Sequence, residues 1–478
     1  MDLIPKPDQV VSAASNVAHK ALYGGLADLR PMPRTLIDDG TLREVYHYRP
    51  AGHVLETGDP VLLVTPLAAP SLCFDLRRGC SLVEHFVAGG RPTYLVEYGQ
   101  VSFKDRNLGM EHWIDEVVPS AIREVSAHAG GRPVHLVGWS LGGIFALLTA
   151  ADSPDLPIAS VTAVGSPFDV KQVPLVAPLR PLLNFTDGRG AITRAYQAMG
   201  GAPQPLVRWA FQLSSFQKLV TKPVAIATHL DDAEFLAQIE AVDRFTANMY
   251  AYPGRTFGQL YHRFVKGNAL VGGTMELGGR DISVADITAP VLVFGGATDG
   301  IAPVPAVKAS VPLLTGSREV RFEIVPGGHL GMLTGRSART STWPIMDEWI
   351  DRWSSDAEAG APEPEQPVKP TTPARKAPAR QPAKKAAPPK KAAAKTTAKK
   401  SAPPKKAAPA KKAAPPKKAA PPKKAAPPQK AAPPQKAAPP KKVAPPKKVT
   451  PATDADEGGI GTNPQRRYGS AGSRSLAR

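Results

Sequence analysis

A serine between glycines is the first residue of this chain that could act as a nucleophile. In the stretch Gly138-Trp139-Ser140-Leu141-Gly142, small residues stand two positions before and two positions after Ser140. An apolar run precedes this stretch and a helix rich in small residues follows it, which predicts a sharp strand-turn-helix with Ser140 at the turn. The hydroxyl would lie at the positive end of a helix, where an oxyanion is stabilised. Attack on an acyl carbonyl is the chemistry that fits.

A serine hydroxyl also needs a base, and the base needs an acid to orient it. Of the ten histidines, His329 alone lies in a glycine-flanked loop after the last predicted strand. Asp299 lies in the loop after the preceding strand, and Asp169 in an earlier loop is the alternative acid. His135 lies inside the strand that leads to Ser140 and is expected to be a core residue. We therefore predict that Ser140, Asp299 and His329 act together.

Two backbone N–H groups should stabilise the oxyanion that forms on the carbonyl oxygen when the acyl carbon is attacked. Leu141, directly after the nucleophile, would donate one of them. Leu67, in the loop after the apolar run 61–64, would donate the other, since Pro66 has no N–H to give. The expected reaction passes through an acyl-enzyme that water or an alcohol then releases.

The elements that position these residues are apolar runs typical of strands buried on both faces. Their starts are 25 or more residues apart, mostly with helical patterns between them, which indicates crossover connections and a mostly parallel sheet. The runs are 60–65, 92–98, 134–139, 160–165, 290–295 and 320–325, and the alternating run 42–49 predicts a further strand.

The interval 171–285 breaks this rhythm and is helical. Apolar residues there recur at helical spacing: Phe235, Ile239, Val242, Phe245 and Met249. An inserted helical lid fits this pattern, and further packing helices of the main domain are the alternative. A last helix is expected over 343–353. Residues 8–29 predict either a short amphipathic docking helix or a plain extension.

Four stretches of the chain resemble landmarks of polyhydroxyalkanoate synthases and their actinobacterial hydrolase relatives. They are 60–99, the GWSLGG motif at 138–143, 260–303, and GGHLGML at 327–333. The resemblance spans about residues 40–350 and implies an α/β-hydrolase fold with an inserted lid. It also implies hydroxyacyl or fatty acyl esters and thioesters as substrates, and a catalytic triad of Ser140, Asp299 and His329. No cofactor or metal is expected.

Two departures from the synthases affect the expected reaction. The synthases use a cysteine nucleophile where this chain has Ser140, and their Asp-His-Ile pattern is Asp299-Gly300-Ile301 here. A thiolate exchanges readily with thioesters, whereas a serine ester suits oxygen esters and hydrolysis. A carboxylic ester hydrolase or acyltransferase is therefore the first hypothesis, and a polymerase of hydroxyacyl-coenzyme A is the second.

Charge is distributed unevenly along the 478 residues. The formal net charge is +19, but residues 361–478 contain 29 Lys and Arg against 5 Asp and Glu, so this part alone carries +24. It also contains 26 of the 53 prolines, which predicts a disordered tail over 356–478. The expected domains are an N-terminal extension over 1–40, a hydrolase domain over 41–355, and this tail.

Within the tail, eight hexads of the type Pro-Pro-Lys-Lys-Ala-Ala run from Pro403 to Thr450. Proline at this density favours polyproline II, so the lysine pairs would form a semi-stiff cationic stripe. The stripe could bind DNA without sequence preference, or an anionic membrane or granule surface, or it could be a spacer. A third hypothesis follows, in which the whole protein is a non-catalytic tether.

Two further expectations concern the location of the protein. The two cysteines, Cys73 and Cys80, are too few for a disulfide framework, which favours a reducing compartment. The sequence contains neither a secretory signal pattern nor an apolar run long enough for a membrane span. We expect a cytoplasmic protein, associated with the nucleoid or with lipid granules if the tail binds there. The oligomeric state is left open.

Overall fold

The computed structural model describes residues 6–174, 191–214 and 216–355. All of them belong to the first of the two units into which the chain divides, Met1–Pro373. The predicted tail, 356–478, lies outside the described residues, and so does part of the predicted lid interval, 175–190.

Twelve strands are found in the described residues: β1 (Arg34–Gly40), β2 (Arg43–Tyr48), β3 (Val61–Val64), β4 (Thr93–Glu97), β5 (Val134–Trp139), β6 (Ile158–Val164), β7 (Gly201–Ala202), β8 (Tyr252–Pro253), β9 (Thr274–Leu277), β10 (Arg280–Ser283), β11 (Val291–Gly296) and β12 (Val320–Val325). Eight of them form one sheet in the order β1-β2-β4-β3-β5-β6-β11-β12. In this order β1 pairs antiparallel with β2, and β2 pairs antiparallel with β4. The strands β4, β3, β5, β6, β11 and β12 each run parallel to their neighbours. The prediction of an α/β fold with a mostly parallel sheet is confirmed.

The apolar runs form central strands because both faces of the sheet are covered. Alternate side chains of β3 belong to different clusters: Leu62 and Val64 pack into one core, while Val61 and Leu63 pack into the other. A strand that is buried on both sides gains from apolar residues at every position, which explains the lack of alternation.

The α-helices of the described residues are α1 (Pro7–Tyr23), α2 (Leu82–Ala88), α3 (Val118–His128), α4 (Leu141–Asp152), α5 (Ala191–Met199), α6 (Gln204–Ser214), α7 (Phe216–Thr228), α8 (Ala233–Ala247), α9 (Gly254–Gln259), α10 (Val304–Lys308), α11 (Gly331–Thr334) and α12 (Thr342–Arg352). Two π-helical turns span His112–Val117 and Leu260–Lys266, and 3-10 turns span Ser71–Cys73, Phe103–Asn107, Val170–Gln172, Ala269–Gly272, Val284–Asp286, Val311–Leu313 and Arg336–Thr340. α4 is apolar on all sides and almost wholly buried, as such a helix must be.

Two strand regions differ from the sequence-based expectations. Residues 34–40, assigned to the N-terminal extension, form the edge strand β1 of the main sheet, so the folded domain begins before residue 41. The sequence pattern does not predict this strand, because it contains two aspartates and a bulge between Leu36 and Asp38. An edge strand needs no continuous apolar run. β9 and β10 form a separate hairpin around Gly278 and Gly279, both with positive φ.

The N-terminal helix α1 is held through its polar side. Gln9 and Asn16 bond to the chain just after α7, and the Lys20 ammonium lies 2.8 Å from a carboxylate oxygen of Glu240 on α8. Several apolar side chains of α1, among them Val11 and Leu22, are exposed. In the described residues no helix is both long enough and apolar enough to cross a membrane.

The described chain ends at an anchored residue. The Ser355 N–H and hydroxyl both donate to the carboxylate of Asp59, at 2.6 Å each, and Asp59 also accepts from the Arg132 guanidinium at 2.8 Å. Asp59 directly precedes the residue before β3, so this anchor lies at the amino ends of the parallel strands. The hydrogen bonds from Ser355 and Arg132 hold the pKa of Asp59 below its usual range against the cost of burial.

His135 lies beside this anchor and is fully buried, as expected for a core residue. Its ring nitrogens are 2.8 Å and 3.2 Å from the hydroxyls of Ser160 and Ser354. Neither partner carries a charge, so desolvation dominates and lowers the pKa of His135 from 6.5 to about 4.

This shift predicts a pH dependence of stability. In the unfolded chain His135 is protonated below its usual pKa of 6.5. In the folded protein it is protonated only below about pH 4. The free energy of unfolding should therefore fall by on the order of 3 kcal/mol as the pH decreases through this window. Urea unfolding at several pH values should show a flatter profile for His135→Gln. Parallel profiles for the two proteins would contradict the assignment.

Candidate active site

Ser140 lies on the strained turn between β5 and α4. Its φ of 54° and ψ of −118° are unusual for a residue with a side chain. The flanking glycines permit the turn: a Cβ on Gly138 would lie 2.5 Å from the Gly143 Cα, and a Cβ on Gly142 would lie 2.2 Å from the Val64 carbonyl oxygen. The sequence motif therefore folds as the sharp turn that its spacing predicted.

His329 and Asp299 are in contact in the loops after β12 and β11. The His329 Nδ1 lies 2.8 Å from Asp299 Oδ2, and both side chains are buried. The other oxygen, Oδ1, accepts from the backbone N–H groups of Ile301 and Ala302 at 2.8 and 2.9 Å. A buried carboxylate needs hydrogen-bond partners for its oxygens, and these three contacts fix it against the imidazole ring.

The alternative acid, Asp169, is engaged elsewhere. Its Oδ1 accepts from the Asn268 amide at 2.9 Å and from the backbone N–H of Lys171 at 3.1 Å. It closes a short turn after β6 and makes no contact with His329. The structure thus brings Asp299, and not Asp169, to the histidine.

Two residues that sequence reasoning did not single out support the site. The Trp139 indole N–H donates to the His329 carbonyl oxygen at 2.9 Å, and the two rings are 4.9 Å apart. The Ser166 hydroxyl donates to the Ser140 carbonyl oxygen at 2.8 Å. Because Trp139 directly precedes Ser140, the sequence could have indicated that it lies near the site. Only the fold shows which loops the Trp139 and Ser166 donors reach.

The proposed oxyanion donors lie in the expected elements. Leu141 is the first residue of α4, so its N–H has no acceptor within the helix. The side chain of Leu67 is buried in the core, while its neighbours Pro66 and Ala68 line a cavity together with Ser140. The close approach of Gly142 to the end of β3 places this loop beside the start of α4. The roles of Leu141 and Leu67 stay predictions.

Ser140 and His329 open into one cavity of about 400 Å³. Its walls are almost wholly apolar and come from the loop after β3, from α6 and from the segment around β8; they include Ala69, Val207, Phe211, Met249, Tyr252 and Phe257. An apolar cavity with a few polar groups at one end is the usual form of a site for small organic substrates. Here the polar end is the serine and the histidine.

Other reactive groups are placed away from this cavity. Cys73 and Cys80 are free and buried, and burial raises the pKa of both thiols, so neither is an activated nucleophile. Across the described ranges, no group of three or more His, Cys, Asp or Glu is arranged to hold a metal ion.

The sheet order and the strand-turn-helix at its centre define the class as an α/β-hydrolase. Residues 91–336 match the family model described as the alpha/beta hydrolase fold, and the chain belongs to that family. It is an enzyme of this class and resembles polyhydroxyalkanoate synthases. It is 28% identical over 309 residues to the poly(3-hydroxyalkanoate) polymerase subunit PhaC of Allochromatium vinosum, covering 64% of this chain and 85% of that protein. For the same subunit of Thiocystis violacea the identity is 26% over 311 residues, with 65% and 85% covered.

The contacts of the two aspartates predict different effects of the same substitution. Asp299→Asn should lower kcat for an ester by about 10³- to 10⁴-fold, because an amide facing Nδ1 disturbs the tautomer and orientation of His329. Asp169→Asn should change kcat less than about threefold, since this residue bonds to Lys171 and Asn268 and makes no contact with His329. Steady-state kinetics, with thermal unfolding to check folding, compares them. Equal losses in the two variants would contradict the pairing of Asp299 with His329.

Proposed function

We propose that this enzyme is a serine hydrolase or acyltransferase that cleaves acyl esters through an acyl-enzyme on Ser140. One observation carries the proposal: the strained serine and the buried Asp299–His329 pair converge on a single apolar cavity. A reactive hydroxyl at one end of an apolar cavity suits a substrate with an ester at one end and an acyl chain behind it.

The proposed reaction has two halves. In the first, His329 takes the Ser140 proton as the Oγ attacks the acyl carbon, and the oxyanion is stabilised by the N–H groups of Leu141 and Leu67. The leaving alkoxide receives the proton from His329, and the acyl group stays on Ser140. In the second half, water or another alcohol gives its proton to His329 and attacks the acyl carbon, and the Ser140 Oγ leaves and takes that proton from His329. Asp299 stabilises the imidazolium in both halves.

A polymerase of hydroxyacyl-coenzyme A is the second candidate, because the relatives are named poly(3-hydroxyalkanoate) polymerase subunits. The nucleophile argues for the first candidate. A cysteine thioester is similar in energy to the incoming coenzyme A thioester, whereas transfer to Ser140 forms an oxygen ester that water can release. Cys73 and Cys80 are buried and are not at the turn, so they do not supply a thiolate.

We also propose that the helices between β6 and β11, within the interval 171–285, form a lid over the catalytic serine. Support comes from α6, whose residues Leu206, Val207, Ala210 and Phe211 line the cavity that Ser140 opens into. A substrate would then reach the serine between these helices and the loop after β3.

The nucleophile is tested most directly with a fluorophosphonate probe on the full chain. Labelling should occur on Ser140, and Ser140→Ala should abolish it together with at least about 10⁴-fold of the ester turnover. An unlabelled folded protein that shows no Ser140-dependent turnover would falsify the enzymatic proposal and favour a non-catalytic tether. Growth of an insoluble polymer from 3-hydroxyacyl-coenzyme A, with release of free coenzyme A, would favour the polymerase.

We further propose that the lysine-rich residues after Ser355 tether this enzyme to a polyanion, either DNA or an anionic lipid or granule surface. The +24 charge of residues 361–478 supports this, and the spacing of the hexads brings lysine pairs back at regular intervals. Such binding neutralises phosphates and carries no sequence specificity.

Electrophoretic retardation of random DNA provides the test of the tether. Full-length protein should retard DNA, with an affinity that falls by about 10³-fold or more between roughly 50 and 200 mM salt. A version that ends at Ser355 should not retard it at any of these concentrations. The same pair can be compared on vesicles with and without anionic lipid. Identical behaviour of the two proteins on both surfaces would remove the tether.

A further inference from the structure

We propose that a groove between α6, α7 and α8 binds the distal part of a long acyl chain whose carbonyl end lies at Ser140, and that Phe211 is the partition between groove and catalytic cavity. The inference rests on the proposed esterase function and adds a binding site for a class of substrate. The groove measures about 980 Å³, against about 400 Å³ for the catalytic cavity.

Helix α8 has a partly buried apolar stripe beside its fully buried residues, which is the first support for this site. Ala241 and Phe245 are buried against the body of the enzyme. Phe235, Ile239 and Val242, one helical turn apart from each other, line the groove and are only partly buried. Polar residues of α8, among them Gln238 and Asp243, flank this stripe on the groove wall. The stripe itself is suited to an apolar ligand.

Phe211 belongs to the walls of both spaces, which is the second support. Its ring is 6.0 Å from the ring of Phe245 on α8, and Phe245 in turn is 5.9 Å from Trp139, next to the nucleophile. Phe245 is fully buried, so these ring contacts run behind the cavity and connect Phe211 to the residue next to the nucleophile. Phe211 is only partly buried, so its side chain can change rotamer at less cost than a core phenylalanine.

Five charged residues line the groove: Arg208, Lys222, Asp243, Arg244 and Arg336. Arg244 donates to the Leu29 carbonyl oxygen, and three of the others belong to ion pairs. The Lys222 ammonium on α7 lies 2.6 Å from a carboxylate oxygen of Asp243 on α8, and the Arg336 guanidinium lies 2.8 Å from Asp232. Both pairs are partly exposed at the rim, where they remain solvated. The aliphatic and aromatic side chains between the pairs are left to contact a hydrocarbon chain.

A ligand that uses both spaces must be longer than the catalytic cavity and apolar over most of its length. A fatty acyl chain fits this requirement because it has no polar group that the apolar stripe of α8 would leave without a partner. Short acyl chains would occupy the catalytic cavity alone. Phe211 then acts as a specificity residue, since its rotamer decides whether a chain can pass from one space to the other.

The test measures kcat/KM of the full chain for butanoyl, octanoyl and hexadecanoyl esters of one chromogenic alcohol. Val242→Trp fills the groove and should lower the ratio of hexadecanoyl to butanoyl kcat/KM by at least about tenfold. Phe211→Ala removes the partition and should raise that ratio. Val224→Trp is the matched control, because Val224 is on α7 but 65% exposed and outside the groove, so its ratio should equal that of the wild type.

Binding separates this proposal from the proposed reaction. In the Ser140→Ala background, calorimetry with hexadecanoate should show at least about tenfold weaker binding for Val242→Trp than for Val224→Trp. That result would support the groove even if no ester were cleaved. Conversely, Ser140-dependent turnover with chain-length ratios that are the same in all three variants, or equal hexadecanoate binding in the two tryptophan variants, would overturn the groove and leave the esterase proposal in place.

Discussion

The contact between the start of α4 and the end of β3 is the constraint on which the site depends. Gly142 approaches the Val64 carbonyl so closely that no side chain fits between them. This approach holds Ser140 in its strained conformation and places the loop that begins at Thr65 beside the helix N-terminus. One steric condition therefore orients the hydroxyl, exposes the first N–H groups of α4 and forms one wall of the cavity. The packing of the buried helix α4 offsets the conformational free energy of the strained turn.

The outline of the fold followed from the sequence because strands buried on both faces leave a strong signal. Once the strands are parallel, their carboxyl ends share one edge, so loops as distant as those of Ser140 and His329 must meet. The choice between Asp299 and Asp169 could not be made in this way, since both follow strands of the same sheet. It depends on partners such as Asn268, which lies 99 residues from Asp169 in the chain. Edge strand β1 was missed because half-exposed strands need no apolar run.

The relatives suggest a polymerase, whereas the serine nucleophile favours an esterase. The chemical difference between these two reactions is small. The relatives are polymerase subunits, and one atom in the nucleophile separates a thioester intermediate from an oxygen ester. The apolar walls of the cavity serve either reaction, because both bring an acyl group to the same turn. What differs is the ease with which the acyl group leaves the nucleophile. That step depends on whether water can enter the cavity past α6. The proposed groove along α8 would make the length of the acyl group a further factor in the reaction.

The anchor of Ser355 on Asp59 has a consequence for orientation. It lies at the amino ends of the parallel strands, whereas Ser140 and His329 follow the carboxyl ends, so Ser355 and the candidate nucleophile lie at opposite edges of the sheet. For work at a sensor surface or on a resin, attachment through this end preserves access to the serine.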